Sequence, residues 1–446
     1  MTSRVSTLIA RRFPRSSSEL IVGCVPVGAL AETYGTPLFV YDRTVIDAQI
    51  EALRVALPSR FRVYFSIKAN PNRTVVKHFL SRGCGLEIAS AGEFLIALDA
   101  GCDATNILFA GPGKTEAELD LVLSHGVGEI HIESLLEARR VGMIARRLGV
   151  RARVAIRVNP AAVSEGGAMR MGGRATPFGI DEEFLAEALD TVCADPALDF
   201  RGIHVFAGTQ ILDAEVLLNQ YRHGVEIARR TAHQVGRPLA TIDFGGGLGV
   251  PYFAHEQELN LERVREGVTA LCSEIETDAA FVGTQFVVEP GRFLTAEAGV
   301  YVTRVNDVKV SRGKKFVIVD GGMNHHLAAS GNLGQTIKRN YPVTLLNKLK
   351  TPNTEIVDVV GPLCTPLDTL ARNVELPAVE VGDLFGILQS GAYARSASPL
   401  EFLSHPAPPE VWIDGQSHLI MERGGATAVQ GATLGRNSAE DRYRCA

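Results

Sequence analysis

The sequence of 446 residues lacks the features that mark several large classes of protein. Its seven cysteines are odd in number, widely spread and without a Cys-x-x-Cys pair, which argues against a disulfide framework and against a zinc cluster. It has no run of about 18 apolar residues to span a bilayer, and the arginine-rich N-terminus has no signal-peptide core. Lys and Arg number 45 against 50 Asp and Glu, so there is no basic excess for nucleic acid. We expect a cytoplasmic protein that binds neither nucleic acid nor a membrane.

The sequence does contain a regular alternation of short β-type runs and helical patterns. Eight runs rich in β-branched and aromatic residues predict strands at residues 62–67, 85–88, 106–109, 129–132, 154–158, 202–206, 240–244 and 285–289. Helical patterns between them include residues 91–100, 116–123, 134–148 and 214–235. This alternation indicates parallel βα units, and eight units favour a closed (β/α)₈ TIM-type barrel over an open doubly wound sheet.

A different pattern begins after the eighth unit. Strand-like runs with few helical spacers stand at residues 299–310, 315–320, 355–360 and 384–388, and they predict a mainly antiparallel β domain. The segment 20–42 is also strand-like and is expected to contribute to that domain. We therefore predict an N-terminal segment at 1–42, the barrel at 43–293, the β domain at 294–423 and a loose C-terminal tail at 424–446.

Polar residues stand at or near the ends of the predicted barrel strands, where such barrels place their active sites. Lys68 follows the first strand within a mostly apolar run, and partial desolvation there would make it a nucleophile. A lysine that merely extends to solvent at a strand exit is the competing interpretation. Glu87 in the second strand and Arg157 in the fifth are candidates to face inward, and a buried structural ion pair is equally open for each.

The last three barrel strands add further candidates. His204 lies in the sixth strand, although a lone histidine on a strand is more often a satisfied core residue. The seventh strand runs into the glycine turn 245–249, whose backbone N–H groups could approach a phosphate. After the eighth strand, Glu289 could hold a protonated ring nitrogen, and Arg292 could reach a phosphate, unless the two form an ordinary turn with a surface ion pair. An imine-forming lysine, a phosphate cradle and such a carboxylate are what pyridoxal phosphate (PLP) requires.

Five segments, in the same order, resemble the fold-type III PLP decarboxylases, which include the diaminopimelate, ornithine and arginine decarboxylases. They are residues 64–70 (YFSIKAN), 243–249 (DFGGGLG), 289–292 (EPGR), 361–368 (GPLCTPLD) and 391–393 (GAY). The resemblance extends from about residue 37 to about residue 406. It implies PLP-dependent α-decarboxylation of an amino acid or an amino-acid derivative, with PLP at the carboxyl ends of the barrel strands.

The resemblance also implies roles for single residues. Lys68 would carry PLP as an imine, Glu289 would pair with the ring nitrogen, and Cys364 would protonate the carbanion after carbon dioxide leaves. Other residues implied to contact the cofactor are Glu87, Arg157, His204, Phe206, Thr209, Gly245, Gly246, Gly247, Gly291, Arg292 and Tyr393. Implied substrate contacts are Asp320, Thr365 and Asp368, and no metal is implied. In the family the partner subunit supplies the cysteine, which implies a homodimer with shared active sites.

Three departures from the family pattern bear on the substrate and the cofactor. Thr365 follows the cysteine where members that act on basic amino acids usually have an acid. Ala328 and Ala329 stand where diaminopimelate decarboxylases usually have an Arg-Pro pair. Phe206 stands at the position of the ring-stacking histidine, and its ring could still stack on the pyridine.

Segments 204–210 and 326–332 are similar to a branch of the family from secondary-metabolite, siderophore and polysaccharide-export pathways. Some members of that branch act on an amino acid tethered to a carrier protein, so an acyl carrier protein is a candidate partner. We expect that free lysine, free ornithine and meso-diaminopimelate are not the best substrates. The alternatives are a diaminopimelate decarboxylase of lysine biosynthesis, an amino-acid racemase and a non-catalytic PLP-binding regulator.

Overall fold

The structure is a computed structural model that describes residues 4–161, 175–206, 208–333, 335 and 337–424, and the backbone of 169–170. The predicted tail lies outside the described residues except for Gly424. The described chain forms two compact units. The barrel unit comprises Glu51–Val250 and Gln257–Phe293, and the β unit comprises the chain up to Ile50, Pro251–Glu256 and the chain from Leu294.

Twenty-two strands are present in the described part of the chain. In chain order they are β1 (Ile21–Val22), β2 (Val25–Pro26), β3 (Leu38–Asp42), β4 (Phe61–Ser66), β5 (Gly85–Ile88), β6 (Ile107–Phe109), β7 (Glu129–Ile132), β8 (Ala152–Asn159), β9 (Met169–Arg170), β10 (Ile180–Asp181), β11 (Leu198–Val205), β12 (Gly208–Thr209), β13 (Thr241–Asp243), β14 (Gln285–Val288), β15 (Gly299–Ser311), β16 (Lys314–Val319), β17 (Val343–Leu345), β18 (Glu355–Val360), β19 (Thr369–Leu376), β20 (Leu384–Leu388), β21 (Glu410–Ile413) and β22 (Ser417–Met421).

The α-helices of the same described residues are α1 (Arg4–Arg12), α2 (Val27–Tyr34), α3 (Arg43–Ala56), α4 (Arg73–Ser81), α5 (Ala91–Asp99), α6 (Glu116–Ser124), α7 (Leu135–Leu148), α8 (Leu185–Ala194), α9 (Ala214–Val235), α10 (Leu261–Glu274) and α11 (Arg292–Thr295). None of these helices is both long enough and apolar enough to cross a membrane.

The barrel unit is built on a closed ring of eight parallel strands. Their order is β4-β5-β6-β7-β8-β11-β13-β14, and β14 pairs with β4 to close the ring. The short strand β10 is an additional parallel partner of β8. The predicted (β/α)₈ class is therefore confirmed: each of the eight predicted strands is present, and α5, α6, α7 and α9 correspond to the predicted helical patterns.

Most barrel strands are apolar because both of their faces are covered, one by helices and one by the barrel interior. Polar side chains interrupt this pattern, and several of them are almost completely buried. They are Ser66 in β4, Glu87 in β5, Glu129 and His131 in β7, Arg157 in β8, His204 in β11 and Asp243 in β13. Side chains two positions apart on a strand share a face, so the strand register brings several of these groups together.

Side-chain caps help to set where the barrel helices begin. The Ser90 hydroxyl accepts a hydrogen bond from the Glu93 N–H at the start of α5. At α6, Thr115 and Glu118 form a capping box in which each side chain bonds the backbone of the other. Such caps satisfy N–H groups that have no partner inside the helix, which fixes the helix start close to the preceding strand end.

The β unit contains a largely antiparallel sheet with the order β19-β18-β16-β15-β3-β21-β22. Strand β20 pairs with both β15 and β17, and only the β16–β18 and β3–β21 pairs are parallel. The predicted mainly antiparallel β fold is confirmed, and the four predicted strands correspond to β15, β16, β18 and β20.

The prediction for segment 20–42 is correct for β3, which pairs antiparallel with β15, but it is wrong for Val27–Tyr34. Those residues form α2. The buried side chains of α2 are Val27, Leu30 and Ala31, at the i, i+3, i+4 spacing of a helix face. The segment is too short for this period to stand out against the β-branched residues around it.

Candidate active site at the carboxyl ends of the barrel strands

Lys68 lies in a single 3₁₀ turn directly after β4. Its Nζ is 2.8 Å from both carboxylate oxygens of Glu87, and the Ser66 hydroxyl donates to the same carboxylate. The Lys68 side chain is 45% exposed, whereas that of Glu87 is 1% exposed. Burial alone would raise the pKa of Glu87, but the charge and hydrogen bonds of Lys68, with the Ser66 hydroxyl, hold it below its usual value. The ion pair with Glu87 therefore holds the Lys68 amine in place while leaving it accessible from solvent.

Glu289 follows β14 and is buried among other titratable groups. Its Oε2 lies 3.6 Å from His204 Nε2, and its Oε1 lies 4.0 Å from His131 Nδ1. Burial, with the negative charges of Asp243 and Glu87, raises the pKa of Glu289 well above its usual value. The Glu289 carboxyl group bonds that of Asp243, but no cation or N–H group of the described residues donates to Glu289 Oε1. A positively charged ring nitrogen would satisfy this oxygen and would favour the ionised carboxylate.

The glycine turn after β13 has no space for side chains at its glycine positions. Gly245 and Gly247 have φ values of +66° and +94°, which favour glycine. A Cβ on Gly246 would lie 2.6 Å from the carbonyl oxygen of Glu289, and one on Gly247 would lie 2.8 Å from that of Gly208. Bare backbone in such a turn suits close approach to a phosphate.

Replacing Gly246 with alanine is expected to weaken PLP binding by at least about tenfold, the equivalent of about 1.4 kcal/mol. The added Cβ would push the turn away from Glu289 and reshape the cradle. The measurement is titration of the cofactor-free protein with PLP, followed by visible absorption. Gly92→Ala in α5 is the matched control, because its new Cβ would meet only the Ser90 hydroxyl at 3.7 Å. Equal PLP affinities for Gly246→Ala and this control would contradict the assignment.

Arg157 in β8 is buried and forms an ion pair with Glu133, at 2.6 Å between Nη1 and Oε1. The backbone N–H groups of Gly111 and Gly179 also donate to the Glu133 carboxylate, each at 2.8 Å. This acid was not among the predicted site residues. It directly follows β7, so a search for polar groups after that strand would have found it.

Phe206 lies just after β11, close to two of the predicted cofactor contacts, Arg157 and Gly245. Its ring centroid is 5.9 Å from the Arg157 guanidinium carbon, and a Cβ on Gly245 would lie 2.7 Å from the Phe206 ring. The aromatic ring is therefore fixed beside the glycine turn. Thr209 is half-buried in β12, which pairs with β9.

The barrel unit thus brings together most of the predicted cofactor contacts. Lys68 meets Glu87, His204 meets Glu289, and Phe206 meets both Arg157 and the glycine turn. Gly291 allows a close approach of the chain after β14 to the end of β4, since a Cβ there would lie 2.8 Å from the Ala69 methyl group. Arg292 begins α11 and is half-buried.

The remaining predicted residues belong to the β unit. Cys364 is an exposed free thiol, Thr365 is half-buried beside it, and Tyr393 is half-buried with a left-handed backbone at φ +55°. Asp368 is buried, and its two oxygens accept hydrogen bonds from the N–H groups of Met323 at 2.7 Å and Leu363 at 2.9 Å. Asp368 therefore fixes the shape of the loop that presents Cys364.

Asp320 in the β unit is engaged in a similar way. Its Oδ1 accepts from the Arg304 N–H at 2.8 Å, and its Oδ2 accepts from the Thr36 hydroxyl. Burial raises the pKa of Asp320 and that of Asp368. Both acids are structural partners of neighbouring chain segments.

Comparison with known proteins gives a consistent picture. A family model described as the pyridoxal binding domain of pyridoxal-dependent decarboxylases matches residues 43–296. The L-glutamyl-(BtrI acyl-carrier protein) decarboxylase of Niallia circulans is 39% identical over 412 residues, covering 92% of this chain and 96% of that protein. The diaminopimelate decarboxylase of Zymomonas mobilis subsp. mobilis is 32% identical over 419 residues, covering 92% and 96%. A crystal structure of diaminopimelate decarboxylase from M. jannaschii with L-lysine has a TM-score of 0.84 at 25% identity, covering 92% of this chain and 94% of that one.

The (β/α)₈ barrel and the match to the pyridoxal binding domain together place the chain in the fold-type III class of PLP-dependent enzymes. The chain belongs to the pyridoxal-dependent decarboxylase family and is a PLP-dependent amino-acid decarboxylase. When bound, PLP supplies the electron sink that allows the α-carboxylate to leave. Here Lys68 would carry the covalent link, the glycine turn would hold the phosphate and Glu289 would face the ring nitrogen.

Proposed function

We propose that this enzyme decarboxylates an amino acid whose distal group is masked as an amide or a thioester, as in an aminoacyl group on an acyl carrier protein. The observation that carries the proposal is the state of Asp320 and Asp368. All four of their carboxylate oxygens already accept hydrogen bonds from within the β unit. Each acid has therefore committed half of its acceptor sites to the fold, and burial raises the pKa of both, which disfavours their charged form. Both acids are for these reasons poorly suited to receive a distal ammonium group.

The electrostatic argument follows from burial. A charged ammonium in a partly desolvated site without a paired acid costs roughly several kcal/mol. Thr365 stands where the family usually offers that acid, and its hydroxyl already accepts from the Leu367 N–H at 3.3 Å. Ala328 and Ala329 are buried at the position of the usual Arg-Pro pair, so they offer no grip for a distal carboxylate. A masked distal group avoids both costs.

The comparisons with known proteins also support a carrier-linked substrate. The Niallia circulans relative acts on a glutamyl group on an acyl carrier protein, as its name states. Decarboxylation of diaminopimelate is the second candidate function, supported by relatives such as the Zymomonas mobilis enzyme at 32% sequence identity. The engaged acids of the β unit favour the carrier-linked substrate over diaminopimelate.

We further propose the division of work among the residues. Lys68 holds the cofactor and later releases the product, Glu289 maintains a protonated ring nitrogen, and Phe206 stacks on the ring. Cys364 protonates the α-carbon from the partner subunit of a homodimer with shared sites. The exposure of this thiol supports a role in contact with another molecule. A cytoplasmic location is part of the proposal and is consistent with membership of the decarboxylase family.

The test is carbon dioxide release from a panel of substrates. The panel contains free lysine, ornithine, L-glutamate, meso-diaminopimelate and a glutamyl group on an acyl carrier protein. The carrier-linked group is expected to give the highest kcat/KM, by at least about 100-fold over the free diamino acids. An unpaired ammonium costs roughly several kcal/mol, and each 1.4 kcal/mol corresponds to a factor of about ten. A wide margin in favour of meso-diaminopimelate would contradict the proposal.

The variant Thr365→Asp sharpens this test. It returns an acid to the position after Cys364, so it is expected to raise kcat/KM for free diamino acids by about tenfold. It should not raise the value for the carrier-linked group. The matched control is Thr365→Asn, which has the same shape without the charge. Equal responses to the two variants would show that charge at this position does not decide the substrate.

A further inference from the structure

A buried group of titratable residues surrounds Glu289 in the barrel unit, and three of its members, His131, Glu129 and Asp243, have no part in the mechanism described above. His131, on β7, is completely buried between carboxylates. Its Nε2 lies 3.3 Å from Glu129 Oε1 and 3.8 Å from Asp243 Oδ2, and its Nδ1 lies 4.0 Å from Glu289 Oε1. The two nitrogens of one imidazole thus face acids on two sides.

His204 adds a second imidazole to this group. Its ring centroid is 4.5 Å from that of His131, and its Nε2 is 3.6 Å from Glu289 Oε2. Both ring nitrogens of both histidines lack hydrogen-bond partners among the described residues, whereas the carboxyl groups of Asp243 and Glu289 bond each other. Buried polar atoms are nearly always paired, so four unpaired ring nitrogens in one place need an explanation.

The charges that face this group are unequal. Its acids are Glu129, Asp243 and Glu289, with Glu87 nearby, and the cations that act on it are Lys68, Arg157 and Lys114. Lys114 and Arg157 are already paired with Glu137 and Glu133, and Lys68 is paired with Glu87.

Buried acids this close cannot all be ionised without a shared proton. Burial raises the pKa of Asp243 to about 7. His131 places one ring nitrogen toward Glu129 and Asp243 and the other toward Glu289.

We propose that His131 is a positioning residue for Glu289: its imidazole packs against the carboxylates of Glu289, Glu129 and Asp243 and so holds Glu289 against the ring nitrogen of PLP. His204 supports the other Glu289 oxygen. The proposal concerns the cofactor alone and does not depend on the proposed substrate. Its chemical consequence is that the ring nitrogen stays protonated over a wider pH range.

The test compares His131→Asn with His125→Asn, a control at an exposed histidine that follows α6. The readout is the visible absorption of the PLP-loaded protein titrated with acid and base. The titration midpoint is expected to fall in His131→Asn and to stay unchanged in the control. The kcat is expected to fall about 10- to 100-fold with little change in KM, by analogy with residues that orient the ligands of a metal site from outside.

A second comparison separates positioning from a general loss of packing. In a Glu289→Gln background, His131→Asn is expected to cause no additional shift of the midpoint, because the group it acts through is gone. If His131→Asn does not fold, His131→Gln replaces it with the same expectation. A midpoint that does not move in His131→Asn, or that moves equally in the Glu289→Gln background, would overturn the proposal. So would a stoichiometric metal ion in the purified wild-type protein that is lost in the His131 variant.

Discussion

Replacing Lys68 with alanine is expected to abolish the covalent attachment of PLP and to lower the decarboxylation rate by more than about 1,000-fold. Lys68 is the lysine whose amine is held at the strand ends, 2.8 Å from both oxygens of a buried acid. Without it the cofactor would depend on the glycine turn and Glu289 alone. The measurements are the visible absorption of the purified variant and its rate of carbon dioxide release.

The control is Lys77→Ala, at an exposed lysine on α4. It should match the wild type in absorption and in rate. A Lys68→Ala protein that keeps the wild-type absorption band and turns over substrate at a comparable rate would contradict the assignment of Lys68.

The second large expected effect is the recovery of activity when two inactive variants form hybrid dimers with shared active sites. Lys68→Ala and Cys364→Ala are each expected to be nearly inactive alone, since one removes the cofactor link and the other the proposed proton donor. Mixed in equal amounts and allowed to exchange subunits, they should recover about a quarter of the wild-type activity. This fraction follows from random pairing, because half of the dimers are hybrids and each hybrid has one intact site of two.

Subunit exchange must be verified in the same experiment, for example with two affinity tags. Cys193→Ala, at another exposed free thiol, is the control for the cysteine change and should remain active. If exchange occurs and no activity returns, Cys364 does not act across a subunit boundary.

The barrel could be predicted because its strands are short apolar runs at regular spacing. Parallel strands covered on both faces need such runs, and β6 and β14 show the pattern clearly. Helix α2 could not be predicted in the same way. Its eight residues give a helical period only two turns in which to show itself.

The site was partly predictable for a related reason. Lys68, Glu87, Glu289 and the glycine turn stand at or near strand ends, and parallel strands bring their ends to one rim. The role of Glu133 as the partner of Arg157 was not predictable, because it depends on which side chains the register places opposite each other.

The engagement of Asp320 and Asp368 was equally hidden from the sequence. Each acid accepts hydrogen bonds from residues distant in the sequence, Thr36 for Asp320 and Met323 for Asp368. Motif reasoning treats a carboxylate near a cysteine loop as available for substrate. Only the three-dimensional contacts show that its oxygens already accept hydrogen bonds.

The central claim is that Lys68 holds PLP at the strand ends of this barrel, and one measurement tests it most directly. The PLP-loaded wild-type protein is reduced with borohydride, which makes the imine permanent, and is then digested and mapped by mass spectrometry. We predict a pyridoxyl group on the peptide that contains Lys68 and on no other lysine peptide. A pyridoxyl group on a different lysine, or no labelled peptide at all, would contradict the account.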